Sequence, residues 1–215
     1  LRMGTEAVAA HTDAAGRIGS VETANGEMLP ARLVIGADGR RSIMRDQAEL
    51  PLQTIGAPMD VYWFRLDMPE GIGAESFGAL EAGKFLVLIN RRTHLQCALV
   101  IPKGADEAIR AEGIEAFRKR LRGVVPALDA EIEKLVDFEQ VKLLSVSLDR
   151  LTRWHRDGLL AIGDAAHAMS PIGGVGINVA VQDAVTAANV LAEPLARGEN
   201  PDALLAQVQQ RRSRS

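Results

Sequence analysis

The stretch spanning residues 158–191 constrains this chain more than any other, because it sets a strand, a glycine loop and a long helix in immediate succession. Leu159-Leu160-Ala161-Ile162 is a short apolar run closed by Gly163-Asp164, which predicts a buried strand delivering a carboxylate at its C-terminal edge. Ser170-Pro171 then opens a turn that carries Gly173, Gly174 and Gly176, and from about Gly176 a run of Ala and Val has strong helical propensity. Residues 177–191 are polar only at Asn178, Gln182, Asp183, Thr186 and Asn189, the pattern of a helix buried in a domain interior.

Glycines let a backbone approach a ligand closely, and the unpaired N–H groups and positive dipole end of the helix point at it. The group that suits such a place is electron-rich: a phosphate, or a flavin ring whose edge becomes negative on reduction. Gly163-Asp164-Ala165-Ala166-His167, followed by Pro171-x-Gly173-Gly174-x-Gly176-x-Asn178, resembles the second FAD fingerprint of the aromatic-hydroxylase-like (para-hydroxybenzoate hydroxylase-type) flavoprotein monooxygenases. The resemblance implies that Asp164, presented by Gly163, binds the ribityl chain. It also implies that Pro171, Gly173, Gly174, Val175, Gly176, Ile177 and Asn178 form a loop and helix start beside the isoalloxazine. The bland alternative is a Gly-rich strand-to-helix turn in some other α/β protein. His167 has two readings of equal weight, a contact to cofactor phosphate or ribityl groups and a brace for the loop. Its spacing matches no metal site, and no metal is expected.

A second landmark has the same logic. Leu33-Val34-Ile35-Gly36-Ala37 is an apolar strand ending at Asp38-Gly39, with Ser42 and Arg45 in a short helical turn downstream. The run through Arg40, Arg41, Ser42 and Arg45 is similar to the family's middle fingerprint, associated with FAD and with its reduction by pyridine nucleotide. Asp38 is expected to accept hydrogen bonds from hydroxyls. Each arginine, taken singly, is read as a surface residue in preference to a phosphate ligand.

The remaining elements surround these two. Residues 1–37 are expected to form a small antiparallel meander feeding the buried strand, with turns at Asp13-Ala14-Ala15-Gly16 and at Asn25-Gly26, a strong hairpin signal. From Leu50 the pattern alternates: residues 61–66, 84–90 and 95–101 predict an antiparallel sheet that covers the ligand, with Tyr62, Phe64, Phe85 and Val87 as candidate pocket residues. Gly71-Ile72-Gly73-Ala74-Glu75-Ser76 imitates part of a dinucleotide motif but follows no apolar strand, and is read as a loop. Amphipathic helices are expected over 106–122, with Ile109, Ile114, Phe117 and Leu121 inward, and over 126–136, and a strand over 141–148. Trp154 and His155 read as packing and a solvated turn. Asn200-Pro201-Asp202 signals a last helix whose basic end, Arg211-Arg212-Ser213-Arg214, is solvated.

The expected fold class is therefore mixed α/β (α+β): an incomplete FAD-binding Rossmann-like domain and an antiparallel substrate-domain sheet. Residues 1–49 and 151–215 would form the FAD-binding part and residues 50–150 the substrate-binding part. The βαβ unit opened by GxGxxG, which the family uses for the ADP half of FAD, has no counterpart here. A fragment is expected, inactive alone, with an unpaired strand edge and exposed apolar surface.

Net charge is −3, and the basic tail Arg211-Arg212-Ser213-Arg214 is read as a solvated helix end, so nucleic acid is not an expected partner. Cys97 is the lone cysteine and sits among apolar residues; it fits a reducing cytoplasm and a buried thiol. The longest stretch free of charge, residues 165–182, is too rich in Gly, Ser, Asn and Gln to span a membrane. The activity implied by the resemblance is an NAD(P)H- and O2-dependent hydroxylation of a small aromatic substrate, with FAD as cofactor and NADH or NADPH as co-substrate. The alternatives are a non-oxygenating flavin reductase or dehydrogenase of the same fold, and a non-catalytic binding protein on that scaffold.

Overall fold

The computed structural model describes residues 1–71, 75–81, 83–171 and 174–213. The chain divides into two compact units, the first formed by residues 1–56 and 147–215 and the second by residues 57–146. The divisions fall some residues inside the expected boundaries at 49/50 and 150/151. Residues 72–74 of the loop after Met68, together with Ile172, Gly173 and Arg214, lie outside the described residues.

In chain order the first unit contributes β1 (Ala7–Thr12), β2 (Ile18–Thr23), β3 (Met28–Pro30), β4 (Val34–Gly36), α1 (Ile43–Gln47) and β5 (Leu52–Thr54). The second unit holds β6 (Met59–Asp67), β7 (Phe77–Glu81), β8 (Lys84–Asn90), β9 (His94–Pro102), α2 (Asp106–Ala111), α3 (Ile114–Arg122), α4 (Asp129–Glu133) and β10 (Lys142–Leu144). The chain then returns to the first unit with β11 (Asp149–Leu151), β12 (His155–Arg156), β13 (Leu159–Ala161), β14 (His167–Ala168), α5 (Gly176–Ala196) and α6 (Asp202–Arg212).

The first unit rests on a parallel pair. β4 and β13 run side by side with Val34 opposite Leu159 and Gly36 opposite Ala161, and β12 continues the sheet in antiparallel sense. The expected meander is present as β1-β2-β3, and β14-β11-β5 makes a further small sheet. Leu159, Leu160 and Ala161 are fully buried against Ala187, Leu191, Leu205 and Val208 of the two long helices. α5 is not buried all round. Asp183, Ala187, Val190, Leu191 and Pro194 face inward, while Ile177, Val181 and Val185 are 79%, 55% and 53% exposed. An Ala/Val helix reads as apolar on every face whether or not each face is covered, and one face of this helix has no cover among the described residues.

The second unit is a sheet of order β10-β6-β9-β8-β7 with helices on one face. Tyr62, Leu99 and Leu86 stand in register and are buried beneath the helices, where Phe117 meets Tyr62 and Phe64 edge-on at 5.7 Å. Phe85 and Val87 alternate to the opposite face, aligned with Val100 and Ala98. The four candidate pocket residues therefore cannot line one pocket: Tyr62 and Phe64 are core, and the face opposite the helices carries Trp63, Phe85, Val87 and Val100.

The expected helix over 106–122 is split into α2 and α3 because Gly113 takes φ 85, a left-handed value that an α-helix cannot contain. Ile109, Phe117 and Leu121 are buried as expected. Residues 126–136 yield a 3-10 turn at Pro126–Leu128 and the short α4 instead of one helix. The expected strand over 141–148 is interrupted, because Val146 donates its N–H to the buried Asp60 carboxylate at 2.9 Å rather than to a strand neighbour. No helix among the described residues is long and apolar enough to cross a membrane.

Candidate functional site

Parallel pairing brings the two predicted carboxylates to the same end of one sheet. Ile162 donates its N–H to Gly36 O at 2.9 Å, so the Asp38-Gly39 and Gly163-Asp164 corners leave the strands together. Ligands of open parallel sheets bind at this carboxyl end, and a cleft of 570 Å³ lies there. Gly39 and Arg40 line it from the first corner, Gly163 and Asp164 from the second, and Pro171, Gly174, Gly176 and Ile177 from the loop and helix start. Asp38, Val175 and Asn178 are not among the lining residues; Val175 and Asn178 border a separate cleft with Trp154 and His167.

Asp38 is engaged within the corner. Its Oδ1 accepts from Ser42 Oγ at 2.5 Å and its Oδ2 from the Met44 N–H at 3.1 Å, while Ser42 Oγ caps α1 by accepting from Arg45 N at 2.9 Å. Arg45, expected at the surface, is 6% exposed and donates to Arg40 O at 3.1 Å and to Asp46 at 3.1 Å. The acid and serine of this fingerprint thus shape the turn that presents Gly39 and Arg40.

Arg40 also departs from the surface reading. Nε donates to Asp164 Oδ2 at 3.2 Å and Nη2 to Met169 O at 3.2 Å. Nη1 is buried with no hydrogen-bond partner among the described residues. Both members of the Arg40–Asp164 pair are about one-third exposed, so the pair adds little to stability. An orphaned guanidinium nitrogen beside a carboxylate in a cleft calls for an oxygen-bearing ligand.

The helix start is equally open. α5 begins at Gly176 with Val175 as N-cap, without a side-chain cap and without an acidic residue in its first turn. Its positive end is therefore not neutralised by any of its own side chains. A Cβ placed on Gly174 or Gly176 would meet nothing within 4 Å, so the backbone there borders free space. Polyol and ring-edge acceptors fit this set: a carboxylate for hydroxyls, a guanidinium for an oxygen, and helix N–H groups for developing negative charge.

Gly163 shows why this corner needs glycine. Its φ is 60, and a Cβ there would stand 3.1 Å from Ala180 Cβ on α5. Behind it lies a residue that the sequence marked only as polar. Asp183 is fully buried and accepts from Gly163 N at 2.9 Å, His167 Nε2 at 2.6 Å and Arg212 Nε at 2.7 Å. Burial by itself raises a carboxyl pKa, but the donors His167, Arg212 and Gly163 overcome it and hold Asp183 below the usual carboxylate range. His167 thus braces the loop, with its ring 5.0 Å from that of Trp154, which is itself buried. Arg212, expected in a solvated tail, has a side chain only 9% exposed. A sequence signal existed for Asp183, a carboxylate on the inward face of an apolar helix; nothing local identified its donors.

A carboxylate and a glycine-lined helix start at the carboxyl end of a parallel pair define a nucleotide-cofactor domain of the α/β type. The family model described as "FAD binding domain" matches residues 1–215, and the chain belongs to that family of aromatic-hydroxylase-like flavoproteins. It is 37% identical over 191 residues to 6-methylpretetramide 4-monooxygenase of Streptomyces rimosus, covering 88% of this chain and 46% of that protein. It is 30% identical over 200 residues to protoasukamycin 4-monooxygenase of Streptomyces nodosus subsp. asukaensis, covering 86% and 46%. The chain therefore spans about half the length of these relatives. Its fold matches pqsL, a probable FAD-dependent monooxygenase from Pseudomonas aeruginosa, with TM-score 0.78 at 23% identity, covering 97% of this chain and 58% of that one.

Proposed function

We propose that the protein carrying this chain is an FAD-dependent monooxygenase that uses NADH or NADPH and O2 to hydroxylate a small aromatic substrate. The observation that carries the reading is the convergence of Asp164, the orphaned Nη1 of Arg40 and the uncapped start of α5 on one cleft. Bound FAD would supply the redox chemistry, accepting reducing equivalents from the nicotinamide and reacting with O2. Asp164 would accept hydrogen bonds from ribityl hydroxyls, and Arg40 would donate to a cofactor oxygen. The backbone N–H groups from Gly174 to Asn178 would stabilise negative charge on the reduced ring edge. Gly39, Gly163 and Gly176 would let the backbone come close, and Pro171 would shield the ring from water. Asp38 would act by shaping the Gly39-Arg40 turn.

The second unit is assigned to substrate binding. Its sheet face opposite the helices offers Trp63, Phe85 and Val87, surface suited to an aromatic ligand. Both named relatives are 4-monooxygenases, which supports ring hydroxylation as the reaction class.

The test is a titration of the native protein with FAD, following flavin fluorescence and visible absorbance. Saturable binding weakened about tenfold or more by Asp164→Ala is expected, by analogy with the loss of a charge-assisted hydrogen bond. Absence of binding to the wild type would overturn the flavin reading. Reduction by NAD(P)H followed by air then separates oxygen insertion into an aromatic compound from release of hydrogen peroxide alone, the outcome for a reductase or dehydrogenase.

A further inference from the structure

Asp183 has no contact with the cleft, yet it is fully buried, and a buried carboxylate is costly unless donors surround it. Its donors come from three different parts of the first unit: Gly163 from the turn after β13, His167 from β14, and Arg212 from the last turn of α6. Packing alone would be served as well by an apolar side chain of similar volume. A carboxylate adds direction, because each of its bonds fixes the donor's orientation as well as its distance.

The donor that matters most is the Gly163 N–H. Gly163 is the residue immediately before Asp164, and its φ of 60 sets the direction in which the Asp164 backbone leaves the strand. α5 grips this turn at two points, through the Asp183 carboxylate and through Ala180, which stands 3.1 Å from the position of a Gly163 Cβ. The same α5 opens with the glycine-lined start that borders the cleft. The far side of the carboxylate is held by α6, which is itself docked by Gln209: its Nε2 donates to Thr152 O at 2.9 Å and its Oε1 accepts from Trp154 N at 3.0 Å.

We infer that Asp183 is a positioning residue for the cofactor site: through Gly163 and His167 it holds the turn that aims Asp164 into the cleft, and Arg212 of α6 holds the carboxylate. The consequence for FAD rests on the reading proposed above; the mechanical role rests on the geometry alone. α6 thereby becomes part of the cofactor-binding apparatus although none of its residues lines the cleft.

The test uses the native protein with FAD as probe. In Asp183→Asn, amide hydrogen exchange at Gly163 and Asp164 is expected to accelerate at least tenfold, while amides of the second unit keep wild-type protection. FAD affinity is expected to fall about tenfold, the size of effect seen when a group that orients a ligand's direct partner is removed, with a shift in the flavin absorption band. Arg212→Lys is expected to retain most of the affinity that Arg212→Gln loses. Wild-type exchange at Gly163 together with wild-type FAD affinity in Asp183→Asn overturns the inference. Should that variant fail to fold, Arg212→Gln and His167→Gln carry the same comparison, and wild-type exchange and affinity in both overturn it. A wild-type protein that does not bind FAD sinks the flavin reading instead, and exchange at Gly163 alone then decides the mechanical role.

Discussion

Gly163, in left-handed backbone beneath α5, has little freedom to change. Replacing it with Ala would force a side chain into left-handed backbone, at about 1–2 kcal/mol, and would push against Ala180. Urea unfolding of Gly163→Ala is expected to show at least that loss, and unchanged stability would mean the turn is differently built. The buried acids make a second prediction. Asp60 is buried, which raises its carboxyl pKa, but the Gly104 and Val146 N–H groups and the Lys103 ammonium reverse the shift and hold it low, as the donors of Asp183 do there. A carboxyl held below its unfolded pKa, near 3.9, contributes stability that is complete above that pH and lost as pH falls through the lower folded value. Asp60→Asn and Asp183→Asn are therefore expected to lose stability at neutral pH and to flatten the acid limb of the stability curve below about pH 4. Cys97, whose thiol burial pushes up to about 12, is expected to stay unreactive toward a thiol reagent at pH 8 until the chain unfolds.

At the scale of elements, α5 carries the clearest expectation. Ile177, Val181 and Val185 make an exposed apolar stripe, so the chain is expected to bind a hydrophobic dye, and Val181→Gln with Val185→Gln is expected to reduce that binding without loss of helix by circular dichroism. The same helix shows what a sequence conceals. β6, β8 and β9 were legible because seven to nine apolar-rich residues with partial alternation are long enough to mark a strand. The strands around Asp38 and Asp164 were legible as apolar runs ended by Asp-Gly and Gly-Asp. The two- and three-residue strands β5, β11, β12 and β14 have no apolar run to mark them and left no trace. Gly113 sat in plain view, but a single glycine in a helical pattern does not say whether it is tolerated or breaks the helix. The Gly39, Gly163, Asp164 and Gly176 part of the site was readable from motif order. The Asp183 cluster was not, because its donors lie up to 29 residues away and meet only when α6 folds back.

For the whole molecule, the second unit is a single uninterrupted segment with its own core of Tyr62, Phe64, Phe117, Leu121 and Ile132. Its first and last strands pair directly, Val61 opposite Leu144, so its two ends meet. Residues 57–146 expressed alone are expected to unfold in one cooperative transition, followed by circular dichroism in urea; a broad, non-cooperative melt would show that the core needs the rest of the chain. The first unit has the opposite character, since its parallel pair joins Val34 to Leu159 across the entire second unit. A segment that leaves and rejoins its host at adjacent points can be replaced as a cassette without breaking the parallel pair that carries the Asp38 and Asp164 corners.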